Sequence, residues 1–175
     1  DLQIRSKLLG KPNLCNMGAA GGAASGLGIP AEAIIAGIAQ MPAVPGRFEA
    51  VNAGQGVRVI VDFAHTDDAL ARVLQSAREI TPGRLIVLFG CGGDRDRTKR
   101  PLLGEVAMKG ADFVVVSSDN PRSEDPLSII SEVEVGVRRA GGVEGKNYQV
   151  IADRREAVGY ALGIAAAGDT VLLAG

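Results

Sequence analysis

Two short stretches hold the side chains best equipped to grip a charged ligand. Gly90-Cys91-Gly92-Gly93-Asp94-Arg95-Asp96-Arg97 is a glycine-rich run, and glycines permit unusual backbone angles and close approach of a bound molecule. It lacks the Gly-Lys-Ser/Thr ending of a phosphate loop and the third glycine of a dinucleotide fingerprint. Two readings stay open for it: a ligand loop, or a tight turn followed by a solvated charge run through Arg100. Asp119-Asn120-Pro121-Arg122 sets an amide and a guanidinium beside a turn that proline stiffens. An arginine fork pairs with a carboxylate through two parallel hydrogen bonds, and an asparagine adds a donor, so the segment suits a carboxylate pocket. A plain helix start, with Ser123-Glu124-Asp125-Pro126 as cap and first turn, accounts for the same residues.

His65 is the only histidine, so neither paired-histidine chemistry nor a histidine-rich metal site is available. Cys15 and Cys91 lie far apart without neighbours at metal-ligand spacing, which argues against structural zinc. No serine or cysteine has a base at a recognisable spacing. The chemistry on offer is therefore binding, with no self-contained catalytic centre.

These segments need elements to position them. After Met41-Pro42-Ala43-Val44-Pro45-Gly46, strands and helices alternate. Strands are expected at Arg47–Ala53 and Val57–Asp62 around a Gly54-Gln55-Gly56 turn, then at 85–89, 113–116, 148–151 and 170–173. Helices are expected at 67–79, 101–109, 126–139 and 154–167. Unalternating Val/Ile/Leu strands between helices predict an α/β, Rossmann-like, mostly parallel sheet flanked by helices. In such sheets ligands sit at the carboxyl ends of the strands. Asp62-Phe63-Ala64-His65, the glycine-rich run and the Ser117–Arg122 segment all fall there, which predicts one shared rim. Upstream, the Ala/Gly-rich stretch 14–41 reads as two short helices broken at Gly28-Ile29-Pro30, too small to bury a core alone and expected to be a helical remnant of another domain.

At 175 residues, with 46% hydrophobic and only 3% aromatic residues, the core must be aliphatic. Nineteen basic against twenty acidic residues leave a net charge of -1, which gives no field for nucleic acid or an anionic membrane. Any anion must be caught locally. Without a signal-like segment or a long apolar run, a reduced, cytoplasmic protein is expected.

Taken in order, these segments resemble the MurE-type Mur ligases. The resemblance is carried by Leu8 to Asn16, Val44 to Glu49, Val61 to Thr66, Gly90 to Pro101, Ser118 to Pro126, Ala152-Asp153-Arg154 and Leu172 to Gly175. It implies a three-domain ligase, of which residues 1–46 are the end of the central ATP-binding domain and 47–175 the amino-acid-binding domain, truncated at its end. It implies activation of UDP-N-acetylmuramoyl-L-alanyl-D-glutamate by ATP with Mg²⁺, through an acyl phosphate attacked by the amine of meso-diaminopimelate. By the same resemblance Arg95, Asp119, Asn120, Arg122 and Gly175 would contact meso-diaminopimelate, and Asn16, Arg47, Asp62 and His65 would contact ATP. The phosphate loop, the metal ligands and the uridine-binding domain would lie on other parts of the enzyme, so the fragment alone is expected to be inactive. Pro45-Gly46-Arg47 is the expected hinge. Alternatives are a related ligase adding lysine, whose members usually lack the arginine matched by Arg122, or a binding module that kept the fold.

Overall fold

A computed structural model of the chain describes residues 3–52, 54 and 56–175. Its elements in order are α1 (Gly10–Gly26), α2 (Ala31–Gln40), β1 (Glu49–Val51), β2 (Arg58–Asp62), α3 (Asp67–Glu79), β3 (Leu85–Phe89), α4 (Lys99–Gly110), β4 (Phe113–Val116), α5 (Pro126–Arg139), β5 (Tyr148–Val150), α6 (Arg154–Gly163) and β6 (Thr170–Ala174). Six strands form one sheet in the order β1-β2-β6-β3-β4-β5. Only β1 is antiparallel, pairing Glu49 with Val61 and Val51 with Val59. The other pairs are parallel, so the carboxyl ends of β2, β6, β3 and β4 share one rim.

Strand β3 explains the layering. All five of its residues are buried, because side chains alternate between two covered faces. Leu85, Val87 and Phe89 pack with Leu70, Leu74, Leu103, Ile130 and Val133 from α3, α4 and α5. Ile86 and Leu88 pack with Ala157 and Ala161 of α6 on the opposite face. Three helices cover one side and one covers the other.

Helix starts follow side-chain caps. The hydroxyl of Thr66 accepts from the Ala69 N–H at 3.2 Å, and the carboxylates of Asp125 and Asp153 accept from Ser128 and Glu156 at 2.9 and 2.8 Å. Pro126 occupies the first position of α5, where its missing N–H costs nothing.

Several boundaries differ from the sequence expectation. Strand β1 is three residues long, because Phe48 turns left-handed at φ 47 before it. Ala53 and Gln55, the predicted strand end and turn centre, lie outside the described residues. Helix α4 begins at Lys99 rather than Pro101, which puts the proline inside the first turn. Helix α6 stops at Gly163 rather than 167, because the Asp169 carboxylate accepts from the Ala166 N–H at 3.0 Å and holds the following residues in a turn at Gly168. The two upstream helices pack on each other, with Ile34 and Ile38 against Gly21, while Leu14 and Leu27 stay exposed. Among the described residues, no helix is long and apolar enough to cross a membrane.

Candidate functional site

The glycine-rich loop leaves β3 and the Asp119–Arg122 loop leaves β4, and the two interlock. The Gly93 N–H donates to the Asn120 carbonyl at 2.8 Å. A side chain at Gly93 would stand 1.8 Å from the Pro121 carbonyl oxygen, and one at Gly90 would stand 2.5 Å from that of Ser117. Only glycine lets the loops approach this closely. Arg122 donates through Nη1 to the Gly93 carbonyl. The Ser123 hydroxyl donates to the Asp94 carboxylate at 2.7 Å. Asp94 and Arg122 both hold left-handed backbone, at φ 53 and 50, which non-glycine residues adopt at a cost and which clusters at functional sites.

A cleft of about 610 Å³ opens beside these loops. Arg95, Asp119, Asn120, Arg122, Gly175 and His65 all line it. Arg95 and Arg122 therefore share one concavity. Arg95 has no side-chain partner among the described residues, and Arg122 keeps Nε and Nη2 without an acceptor there. Gly175 reaches the cleft because its N–H donates to the Asp62 carbonyl at 3.1 Å, past the end of β6.

Asn16, Arg47 and Asp62 do not line the cleft. Asn16 is exposed on α1. Arg47 stacks over the Phe63 ring at 5.2 Å, and that ring lies 5.0 Å from the His65 ring. Arg47 and His65 thus both neighbour Phe63, which is 52% exposed. The Asp62 carboxylate accepts from the Phe48 N–H at 2.8 Å and from the Ala64 N–H at 2.9 Å, one bond to each oxygen. It staples the entry and exit of the β1–β2 pair and keeps a second lone pair on each oxygen.

Three features escaped the sequence reading. The charge run does not stay solvated through Arg100: that residue is 1% exposed, held by Glu124 and by Glu132 at 2.9 Å. Glu132 also accepts from Arg97 Nε at 3.0 Å. The Arg100 hydrogen bonds and the Asp94 N–H hold the Glu124 carboxyl well down, at about 2. Arg154 lies behind the rim, where its Nη2 donates to the Ala174 carbonyl at 2.9 Å and its Nη1 is buried without an acceptor among the described residues. Burial pushes its guanidinium down, and the Asp119 charge opposes that. Phe63 could have been suspected, as an apolar residue beyond a strand end. The Arg100 and Arg154 environments have no local signal.

No cluster of three or more potential metal-ligating side chains occurs among the described residues.

The profile of one family, described as Mur ligase, glutamate ligase domain, matches residues 46–175. The chain belongs to that family. The Mur ligase chain is 51% identical over 174 residues to the UDP-N-acetylmuramoyl-L-alanyl-D-glutamate--2,6-diaminopimelate ligase of Syntrophomonas wolfei, covering 99% of this chain and 35% of that protein. It is 51% identical over 172 residues to the protein of the same name from Solibacter usitatus, covering 98% of this chain and 34% of that one. A solved structure of a UDP-N-acetylmuramoyl-L-alanyl-D-glutamate--2,6-diaminopimelate ligase superposes with a TM-score of 0.69 at 38% identity, over 98% of this chain and 34% of that one. This Mur ligase chain thus spans about a third of the length of the curated relatives it matches.

Proposed function

We propose that this chain is the amino-acid-binding part of an ATP-dependent ligase that joins meso-diaminopimelate to UDP-N-acetylmuramoyl-L-alanyl-D-glutamate in peptidoglycan precursor synthesis, in the cytoplasm. Residues 1–46 belong to the end of a central ATP-binding domain, and 47–175 to the domain that presents the amino acid. The carrying observation is that Arg95 and Arg122, with free guanidinium N–H groups, line one cleft together with Asn120, Asp119 and Gly175. A diamino-diacid needs both signs of charge. Its acid group meets the two guanidinium groups and the Asn120 amide, and Asp119 suits an ammonium.

The nucleotide contacts assigned to this chain fit only in part. Arg47 and His65, both next to Phe63, offer a cation and a ring nitrogen, and the spare lone pairs of Asp62 suit ribose hydroxyls. Asn16 stands apart on α1 and has no fit of its own. ATP supplies the phosphoryl group that activates the carboxyl, and Mg²⁺ would be held by other parts of the enzyme. What the residues here do is bind and orient: they hold the incoming amino acid so that its amine is aimed at the activated carbonyl. The chain alone should not turn over.

In the full-length ligase, Arg122→Ala should lower kcat/KM for meso-diaminopimelate by about a hundredfold, or roughly 3 kcal/mol, through loss of a charge-assisted pair. Because Arg122 also braces Gly93, Arg95→Ala is the companion variant, with no such brace to lose. Unchanged use of meso-diaminopimelate in both, or wild-type preference for lysine, would overturn the substrate assignment.

A further inference from the structure

The contacts that lock the two cleft loops together centre on a residue that does not line the cleft. Glu124 accepts from Arg100 Nη2 at 2.6 Å and Nη1 at 2.9 Å, and its Oε1 also accepts from the Asp94 N–H at 2.6 Å. One carboxylate therefore holds the glycine-rich loop, the first turn of α4 and its own loop. Arg100 itself lines the cleft, but Glu124 and Glu132 use up its charge. It walls the cavity without competing for a ligand's acid group. Asp94 and Arg122 flank this contact in left-handed backbone, a conformation that persists only where surroundings over-determine it.

We infer that Glu124 is a positioning residue of the cleft. By gripping Asp94 and Arg100 at once it sets the separation of Arg95 and Arg122, and so how well one acid group can meet both guanidinium groups. The claim about the acid group rests on the diaminopimelate reading; the latch itself does not. Loss of the Glu124 charge should loosen both loops and turn Arg100 toward the space it now only borders.

The test uses the full-length ligase with Glu124→Gln, which keeps side-chain volume, and Ser123→Ala, which removes only the hydroxyl bond to Asp94. Amide exchange by mass spectrometry, without ligand, is read over 91–95 and 119–123. Steady-state KM values are read for meso-diaminopimelate and ATP. Expected for Glu124→Gln are exchange about tenfold faster in both segments and a KM for meso-diaminopimelate about tenfold higher, with the KM for ATP within about twofold. Ser123→Ala should move the same quantities less. Unchanged exchange in both variants overturns the latch, and faster exchange with an unchanged KM for meso-diaminopimelate overturns its role in the cleft. A wild-type enzyme that ignores meso-diaminopimelate overturns the functional reading instead, while the exchange data still decide the latch.

Discussion

Cys91 stands in the cleft wall, and burial pushes its thiol up to about 12, with the nearby Arg100 charge opposing. At pH 8 on the order of one molecule in ten thousand would carry the thiolate, so Cys91 is a packing residue rather than a nucleophile. Cys15 is exposed on α1. Maleimide labelling of the 175-residue chain followed by mass spectrometry should modify Cys15 and leave Cys91 almost untouched; equal labelling would contradict the burial. Glu124 gives the opposite case, a carboxyl lowered from 4.5 to about 2 by Arg100 and the Asp94 N–H. A folded-state value below the unfolded one means that its contribution is full above about 4.5 and fades as pH falls toward 2. Wild type should therefore exceed Glu124→Gln in stability near neutral pH, and urea unfolding curves of the two should converge as pH drops through that window. The charge of these residues was plain in the sequence, but their solvation was not. Arg97 and Arg100 sit in one run, and spacing alone cannot tell that the first is exposed and the second buried.

Helices α4 and α5 touch through glycines on both sides. A side chain at Gly136 would stand 1.7 Å from the Pro101 carbonyl oxygen, and one at Gly104 would stand 2.3 Å from that of Val133. Backbone-to-backbone approach of this kind seats the first turns of α4 against the second half of α5, one turn away from where Arg97 and Arg100 meet Glu132. Gly136→Ala should thus cost stability at or above the upper end of the ~1–3 kcal/mol typical of overpacking, and should also disturb the cleft loops. Denaturant unfolding measures the first effect and amide exchange over 91–95 and 119–123 the second; a neutral substitution would refute the close approach. Nothing local in the sequence around Gly136 signals this contact. The elements themselves were legible because β3 and β4 are continuous apolar runs and Ser123-Glu124-Asp125-Pro126 reads as a cap and first turn. The misplaced ends fall where distant groups decide, as at Gly163, where Asp169 closes the turn, and at Phe48, where Asp62 holds the N–H.

On the scale of the whole molecule, the parallel class and the shared rim followed from strand texture and the rule that binding segments lie at carboxyl ends. The strand order did not, because nothing local in Thr170–Ala174 says which neighbours it will take. The observed order puts this strand between β2 and β3, with Val171 beside Val59 and Ile86. That insertion is what carries Gly175 to the cleft and brings the Phe63–His65 segment close to the two loops. It also has a consequence for how the chain is made. Without Thr170–Ala174, β1-β2 and β3-β4-β5 would be two separate sheets with unpaired facing edges. Their union depends on contacts far apart along the polypeptide, which are slow to form. A nascent chain arrested before Thr170 should remain sensitive to protease, and a longer one from which Thr170–Ala174 has emerged should be markedly more resistant.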